Sequence, residues 1–388
     1  MSKALKKIVI LGATGSIGDN TLNVVRQHRD KIQIVGVACD RSHKKLAAIC
    51  DEFDVPNAAI FNEEVFDEAK KSGRFSNQNL FCGLEGLVKL SCMKEVDTVL
   101  VAVVGTLGLQ PALKAVQHGK DLALASKEIL VMAGKFFTEA VKEANVRLLP
   151  VDSEHNAIFQ CLHGESNASL ERIILTASGG MFRDRNISTF GTITPEEATQ
   201  HPNWNMGKKI TVDSATMANK GLEVIEAHWL FDLPGNKIKV MIHPESIIHS
   251  LVEFIDGSIL AQLSPPSMTF AIQHALLYPL RSTRTESSLN FEDRLNLDLS
   301  PPDFNRYPCL RLAYESLESG GISPTTFNAA NEIGVEAFLK KEIGFTKISK
   351  IIEKTLESTR NREPDSLHEV IQADQDARSL ATRYLNEL

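Results

Sequence analysis

Short runs of Val, Ile, Leu and Ala alternate, over the first third of the chain, with segments whose apolar residues recur every three or four positions. The runs KIVIL (7–11), IQIVGVA (32–38), AAIF (58–61) and DTVLVAVV (97–104) predict strands buried on both faces. DNTLNVVRQH, SHKKLAAICDEF and EEVFDEAKKSG carry the 3.6-residue spacing of amphipathic helices. Repeated strand–helix alternation predicts a doubly wound parallel sheet with helices on both faces. A second α/β region follows, with strands expected near RIILTAS, KVMIH and SILAQL. Residues 281–308 are polar, Pro-containing and aperiodic, the pattern of a linker. From Cys309 onward the spacing is helical, with breaks at Gly320-Gly321, Gly344 and Pro364, which predicts a helical bundle. The expected organisation is an N-terminal α/β unit over 1–148, a central α/β unit over 149–280, a linker over 281–308 and a C-terminal helical unit over 309–388.

The first strand–helix junction adds chemistry to this pattern. KKIVILGATGSIGDNTLNVV places Gly12, Gly15 and Gly18 between strand and helix. Missing side chains permit a tight turn and let backbone N–H groups approach a pyrophosphate at the helix N-terminus, the Rossmann-like arrangement. Thr14 and Ser16 add hydroxyl donors. The spacing is G-x-x-G-x-x-G rather than G-x-G-x-x-G, so its weight comes from context: a strand before, a helix after and further β–α units behind. The second strand ends at ACDRSHKK, where a ribose-reading residue belongs. Asp40 fits a free 2′-hydroxyl and hence NAD, whereas Arg41, with Lys44 or Lys45, fits a 2′-phosphate and hence NADP. Solvated loop charges fit equally well, so the residues alone leave the choice open.

Composition removes whole classes of function. A chain of 388 residues that is 43% hydrophobic and 23% charged is a globular protein of more than one domain. A net charge of −7 and a pI near 5.9, without any basic run, exclude nucleic acid as the main partner. No apolar stretch approaches the length of a membrane span. The six cysteines form no C-x-x-C pair and read as reduced, packed thiols of a cytoplasmic protein. The first strand begins so early that no signal or transit peptide is expected.

LLPVDSEHNAIFQ, residues 148–160, gathers two carboxylates, a hydroxyl and an imidazole where a buried strand ends. Such a cluster is costly to desolvate unless a cation neutralises it. If Val151 to Glu154 are extended, Asp152 and Glu154 point the same way. An arbitrary D-x-E is usually a solvated loop, so a metal reading requires a third ligand. It is found in KITVDSATMANKGLEVIEAHWLF, residues 209–231. There Ser214 is expected as an N-cap, and Asn219, Lys220 and Glu223 share one helix face. Asn219-Lys220-Gly221 is poor chemistry for a mid-helix stretch, a local violation of the kind found at functional sites. Three carboxylates without a His or Cys shell suit Mg²⁺ or Mn²⁺ and leave room for substrate oxygens. ILTASGGMF ends in Ser178-Gly179-Gly180, a shape suited to an anion. QHPNWNMGKK (200–209) has the composition of a mobile loop, with Trp204 able to close over a ligand. His243 and His249 read as structural histidines.

The glycine turn, ALASKEILV, PVDSEHNAIFQ, SGGMF, HPNWNMGKKITVDSATMANKGLEVIEA, IHPESIIHS and TTFNAANEIGVEAFL, in that order, resemble the 1-deoxy-D-xylulose 5-phosphate reductoisomerase family over nearly the whole chain. The resemblance implies NADPH and a divalent cation (Mg²⁺, Mn²⁺ or Co²⁺) as cofactors. It implies Asp152, Glu154 and Glu223 as metal ligands. Ser153, Glu154, Ser178, His201, Trp204, Ser214, Asn219, Lys220 and Glu223 would contact the substrate, with Ser178, Ser214 and Asn219 near its phosphate. Lys127, Glu154, His201 and Lys220 would be catalytic. Thr14, Gly15, Ser16, Ile17, Arg41, Ser126, Lys127, Glu128 and Gly207 would contact the dinucleotide. It also implies a cytoplasmic homodimer. Three stretches depart from the common family pattern: Ser126 for Asn in Ala-Asn-Lys-Glu, Met181 for Pro in Ser-Gly-Gly-Pro-Phe, and Cys39-Asp40-Arg41 for a Gly-Lys-Asn segment.

The implied reaction rearranges 1-deoxy-D-xylulose 5-phosphate, by retro-aldol/aldol cleavage or an α-ketol shift, and reduces the aldehyde to 2-C-methyl-D-erythritol 4-phosphate for isoprenoid precursors. The alternatives are a metal-independent Rossmann dehydrogenase acting on another small aldehyde or phosphorylated substrate, and a nonenzymatic NAD(P)-sensing regulator.

Overall fold

A computed structural model describes residues 5–103, 105–204 and 206–387. The chain folds as two compact units. The first comprises Met1–Ile129, Phe137–Asn156 and Ser267–Ser288; the second comprises Leu130–Phe136, Ala157–Pro266 and Leu289–Leu388.

The first unit is built on strand–helix alternation. β1 (Lys6–Leu11) leads into α1 (Ser16–Gln27), β2 (Ile32–Cys39) into α2 (His43–Phe53), β3 (Asn57–Ile60) into α3 (Glu63–Lys71) and β4 (Asn79–Cys82) into α4 (Gly83–Ser91). β5 (Thr98–Val101) is followed by α5 (Leu109–Gln117), β6 (Asp121–Leu124) by α6 (Glu128–Ala144) and β7 (Leu148–Pro150) by α7 (Ser153–Cys161). All seven strands are parallel, in the order β4-β3-β2-β1-β5-β6-β7. β3 and β5 are buried at every residue, as continuous Val, Ile, Leu and Ala runs demand between two helical layers. The strand read at 97–104 ends at Val101, and Val104 lies outside the described residues.

Strand order reverses between β1 and β5, the switch point at which open α/β sheets bind ligands. Leu11 pairs with Val101, so the two strands stop at the same level. A Cβ on Gly12 (φ +92°) would lie 2.4 Å from the Ala102 carbonyl oxygen. Only glycine lets the two connections leave the sheet so close together.

The second unit carries β8 (Leu170–Ala177), the short α8 (Pro195–Ala198), α9 (Lys208–Thr216), α10 (Ala218–Phe231), β9 (Ile238–Ile242), β10 (Ile248–Phe254) and β11 (Ile259–Leu263). Its sheet is mixed, in the order β11-β10-β8-β9, with β9 parallel to β8 and β10 antiparallel to both neighbours. Sequence patterning missed β10, because His249 and Ser250 interrupt an otherwise apolar run. After β11 the chain returns to the first unit as α11 (Met268–Leu277), which packs on α1. Lys6 Nζ donates to the Leu276 carbonyl at 2.7 Å and helps fasten α11 in place.

Four helices complete the second unit: α12 (Pro308–Ser319), α13 (Ser323–Leu339), α14 (Lys347–Ser358) and α15 (Leu367–Asn386). Residues 289–307 contain neither helix nor strand, yet they are tied down at two points. Ile242 and Ser300 exchange backbone hydrogen bonds, and Tyr307 Oη donates to the Gly179 carbonyl. The helical core joins α9, α10 and α12–α15 with Phe182, Phe190, Phe338 and Phe345, whose rings meet edge to face around Phe345.

α10 crosses α12 closely at Gly221, where an added Cβ would lie 2.5 Å from Ala313 Cβ. Alanine there gains less than the ~1 kcal/mol of helix propensity it would gain in a helix interior, whereas overpacking costs roughly 1–3 kcal/mol. Gly221→Ala is therefore expected to lower the urea midpoint of unfolding; a raised midpoint would show that the crossing tolerates a methyl group.

Candidate active site

In the first unit the candidate residues cluster at the C-terminal ends of the strands. α1 starts at Ser16, with Gly15 at its N-cap in an extended conformation and no side chain capping its N–H groups. Thr14 lies in the preceding turn, Gly15 and Ser16 are exposed, and Ile17 is half-buried. The first-turn N–H groups and the positive helix end suit a phosphate. Lys45, offered by the sequence as a partner of a 2′-phosphate, is exposed and paired at the surface. Its ammonium donates to the Thr14 carbonyl at 3.0 Å and to Asp19 at 2.8 Å, because the glycine turn and α2 lie side by side. Arg41 remains exposed beyond β2, with its guanidinium 3.8 Å from the Asp40 carboxylate.

Ser126 is buried, and its hydroxyl donates to the Val103 carbonyl at 2.5 Å, tying the β6 connection to the β5 connection. Lys127 follows as the buried N-cap of α6, and Glu128 is buried in that helix's first turn. The Lys127 ammonium lies 2.6 Å from Asp152, an ion pair largely removed from water.

The segment around Asp152 corrects one expectation. Val151 to Glu154 are not extended: α7 begins at Ser153. Asp152 fills the role of its N-cap, since its carbonyl accepts from Asn156 N at 2.9 Å and its Oδ1 accepts from Ser153 N at 3.0 Å. Asp152 and Glu154 are therefore placed by a strand-to-helix turn rather than by strand alternation. Ser153 Oγ donates to Glu154 Oε2 at 2.6 Å, and Asn156 Nδ2 donates to the Pro150 carbonyl at 2.8 Å, which pins the turn to the end of β7.

The second unit corrects two more. Ser214 is not an N-cap but lies in the last turn of α9, whose own N-cap is the exposed Gly207. α9 gives way to α10 at Met217, which adopts φ +62°. Asn219, Lys220 and Gly221 consequently occupy the first turn of α10, where glycine costs less than in a helix interior. The alternation KITVDS misled because the polar Thr211 and Asp213 are buried along with Val212, so the alternation does not mark an exposed face.

The shared face expected of α10 is present. Glu223 is 1% exposed. Asn219 Nδ2 donates to its Oε1 at 2.5 Å, and the Lys220 ammonium pairs with its Oε2.

Ser178 follows the last residue of β8 and opens a turn in which Gly179 and Gly180 both have positive φ. His201 Nδ1 accepts hydrogen bonds from Asn203 N at 3.1 Å and Trp204 N at 3.0 Å. Its proton therefore sits on Nε2, which donates to Ser178 Oγ at 3.0 Å. Gly180 N also donates to Ser178 Oγ, at 3.2 Å. With two bonds accepted, the Ser178 hydroxyl keeps its own hydrogen for an external oxygen. Burial, reinforced by Arg183, lowers the His201 pKa from the usual 6.5 to about 4, so the ring is neutral.

Trp204 stacks edge-on to His249 with ring centroids 6.3 Å apart. Sequence reasoning missed Asn203, whose amide donates to the Pro244 carbonyl at 2.6 Å and to Ser246 Oγ at 3.0 Å. His243 is structural: its Nε2 accepts from Ile247 and Ile248 N–H groups, and its Nδ1 faces the Asp298 carbonyl.

The chain matches known proteins along nearly its whole length. The family model for 1-deoxy-D-xylulose 5-phosphate reductoisomerase matches residues 8–134, and models for the C-terminal domain of that enzyme match residues 148–231 and 263–380. A 1-deoxy-D-xylulose 5-phosphate reductoisomerase of Clostridium novyi (strain NT) is 45% identical over 384 residues, 98% of this chain and 100% of the relative. One from Burkholderia vietnamiensis (strain G4 / LMG 22486) is 47% identical over 385 residues, 98% of this chain and 96% of the relative. The Zymomonas mobilis enzyme solved in complex with NADPH is 43% identical, with a TM-score of 0.92 over 99% of this chain and 100% of that one. A DOX-P reductoisomerase solved with NADPH, fosmidomycin and magnesium is 38% identical, with a TM-score of 0.92 over 98% of both chains. This chain belongs to the 1-deoxy-D-xylulose 5-phosphate reductoisomerase family.

Proposed function

We propose that this chain converts 1-deoxy-D-xylulose 5-phosphate to 2-C-methyl-D-erythritol 4-phosphate with NADPH and a divalent cation, a step toward isoprenoid precursors. The observation that carries the reading is identity of about 45% along the full chain with proteins of that name, related structures of which hold NADPH, magnesium and fosmidomycin. A metal-independent dehydrogenase is not favoured by this family, and a nonenzymatic regulator leaves the buried carboxylates without a purpose.

The residues present fit both cofactors. The uncapped α1 N-terminus and the close turn at Gly12 suit a dinucleotide pyrophosphate, with Thr14, Gly15, Ser16 and Ile17 around it. Arg41 is the candidate for the 2′-phosphate, with Asp40 tempering its charge. Ser126, Lys127, Glu128 and Gly207 line the remainder of the dinucleotide in this reading, Ser126 by holding the backbone at Val103.

Asp152, Glu154 and Glu223 hold the divalent ion, an all-oxygen set suited to Mg²⁺ or Mn²⁺. An ion bound there would supply Lewis-acid chemistry, and bound NADPH would supply the hydride. Lys127 and Lys220 orient the Asp152 and Glu223 carboxylates through their ion pairs. Ser178, Ser214 and Asn219 bind the phosphate, the Ser178 hydroxyl as a donor. Ser153 and His201 orient the substrate, with His201 acting as a neutral Nε2–H donor. Trp204 covers the substrate and excludes water.

The protein acts as a cytoplasmic homodimer in this reading. Among the described residues no helix is long and apolar enough to cross a membrane. The edge strand β11 exposes Ile259 and Leu260, apolar side chains that a second copy would cover.

Loss of NADPH absorbance with 1-deoxy-D-xylulose 5-phosphate, with and without Mg²⁺ or Mn²⁺, tests the reaction directly. Glu223→Gln should lower kcat by roughly 10²-fold with NADPH affinity, read by dinucleotide fluorescence, nearly unchanged. Wild-type turnover of that variant in saturating Mn²⁺ would remove Glu223 from the ligand set.

Trp204→Ala should raise KM for the substrate by about tenfold, equivalent to 1.4 kcal/mol of lost binding; unchanged kinetics would argue against closure by this ring. His201 should stay neutral, with its proton on Nε2, from pH 5 to pH 8 in imidazole ¹⁵N spectra. Because folding lowers this pKa, its contribution to stability is complete above about 6.5 and is lost as pH falls toward 4. Titration of the ring near 6.5 in the folded protein would contradict the hydrogen-bond assignment.

A further inference from the structure

Beneath the Ser178–Gly180 turn lies a buried carboxylate that the reaction does not use. Asp213, the residue before Ser214, is 1% exposed. Its Oδ1 accepts from Asn331 Nδ2 at 2.9 Å, and its Oδ2 lies 2.9 Å from Lys209 Nζ. Lys209 is one turn earlier on α9, whereas Asn331 is on α13, 118 positions later in the chain. The Thr216 hydroxyl bonds back to the Asp213 carbonyl at 3.2 Å.

An apolar residue would pack α9 against α13 without the cost of desolvating a charge. What the carboxylate adds is direction, since a charged hydrogen bond holds one register where an apolar contact tolerates several. Register matters at this point of α9. The Ser214 carbonyl and Ala215 Cα approach Gly180 so closely that a Cβ there would lie 2.7 Å from each. A small slide of α9 would either collide with the glycine turn or open it. The same helix passes through Met217 directly into the first turn of α10, which carries Asn219.

We propose that Asp213 is a positioning residue: through Asn331 it locks α9 to α13, while Lys209 on its own helix holds the other carboxylate oxygen, and so it sets Ser214 and the Ser178–Gly180 turn at the spacing that binds the substrate phosphate. The inference rests on the assignment of that phosphate to Ser178 and Ser214. Its structural basis is the buried contact between α9 and the C-terminal helices.

The test uses the full-length protein with Asp213→Asn. Inorganic phosphate serves as the probe by calorimetry, alongside kcat, KM for 1-deoxy-D-xylulose 5-phosphate and NADPH affinity. Expected are rises of about tenfold in KM and in the phosphate Kd, with kcat within about threefold and NADPH affinity unchanged. Adding Asn331→Asp returns a carboxylate–amide pair with the roles exchanged, and should recover most of the phosphate affinity. If Asp213→Asn does not fold, Asn331→Ser breaks the same bond from α13 and carries the same expectation. Unchanged KM and phosphate Kd in a folded variant would overturn the proposal. So would a parallel loss of phosphate affinity, kcat and NADPH affinity, which marks a general loss of structure. A wild-type protein that turns over no substrate would instead defeat the functional reading, and the phosphate titrations would still decide the role of Asp213.

Discussion

The cost of taking carboxylates out of water governs this architecture. Asp152, Asp213 and Glu223 are each largely or wholly buried, and each is matched to an ammonium: Lys127, Lys209 and Lys220. Removing one member of such a pair leaves an uncompensated charge at roughly 3–5 kcal/mol. The lysines must therefore arrive at fixed places, and the local structure supplies them. Lys209 and Lys220 stand four and three positions before their carboxylates on the same helix, so no distant folding event is required. Lys127 instead reaches Asp152 across neighbouring strand ends, which makes that pair depend on the register of β6 and β7.

Glycines set the approach of backbones around these charges. Gly12 lets the turn after β1 meet the chain leaving β5, Gly180 lets the turn after β8 touch α9, and Gly221 lets α10 cross α12. In each case the partner is another backbone or a methyl group, not a flexible side chain. The small residue is required by contact, and only Gly12 and Gly180 also need positive φ. The functional side chains thus hang from a scaffold whose tolerances are set by absent methyl groups.

Much of this was legible in the residues, and the failures have physical causes. Strands such as KIVIL and IQIVGVA were readable because burial on both faces leaves an uninterrupted apolar run. Candidate site residues could be singled out because Asp, Glu, Lys and Asn recur beside glycines where helices and strands meet. The conformation of Val151 to Glu154 was not, since an Asp at a helix N-cap and an Asp in a strand look alike from four residues. Ser214 was misplaced for a related reason: α9 is too short for its period to separate from alternation. That Lys45 pairs with Asp19 could not be read either, because nothing local signals a partner on another helix. Asp213 escaped notice entirely, its partner Asn331 lying far along the chain.

The discontinuity of the first unit bears on how the protein is made. α11, with the Lys6 and Thr269 contacts that fasten it to β1 and α1, is contributed by residues that follow the whole of the second sheet. A nascent chain that has released only its first 150 residues has all seven parallel strands but leaves the α11-facing side of α1 uncovered. The dinucleotide fold is thus completed only after about half of the second unit, including its whole sheet, has been synthesised. Cutting the gene at the apparent end of the sheet would yield not a smaller domain but one with its wall missing.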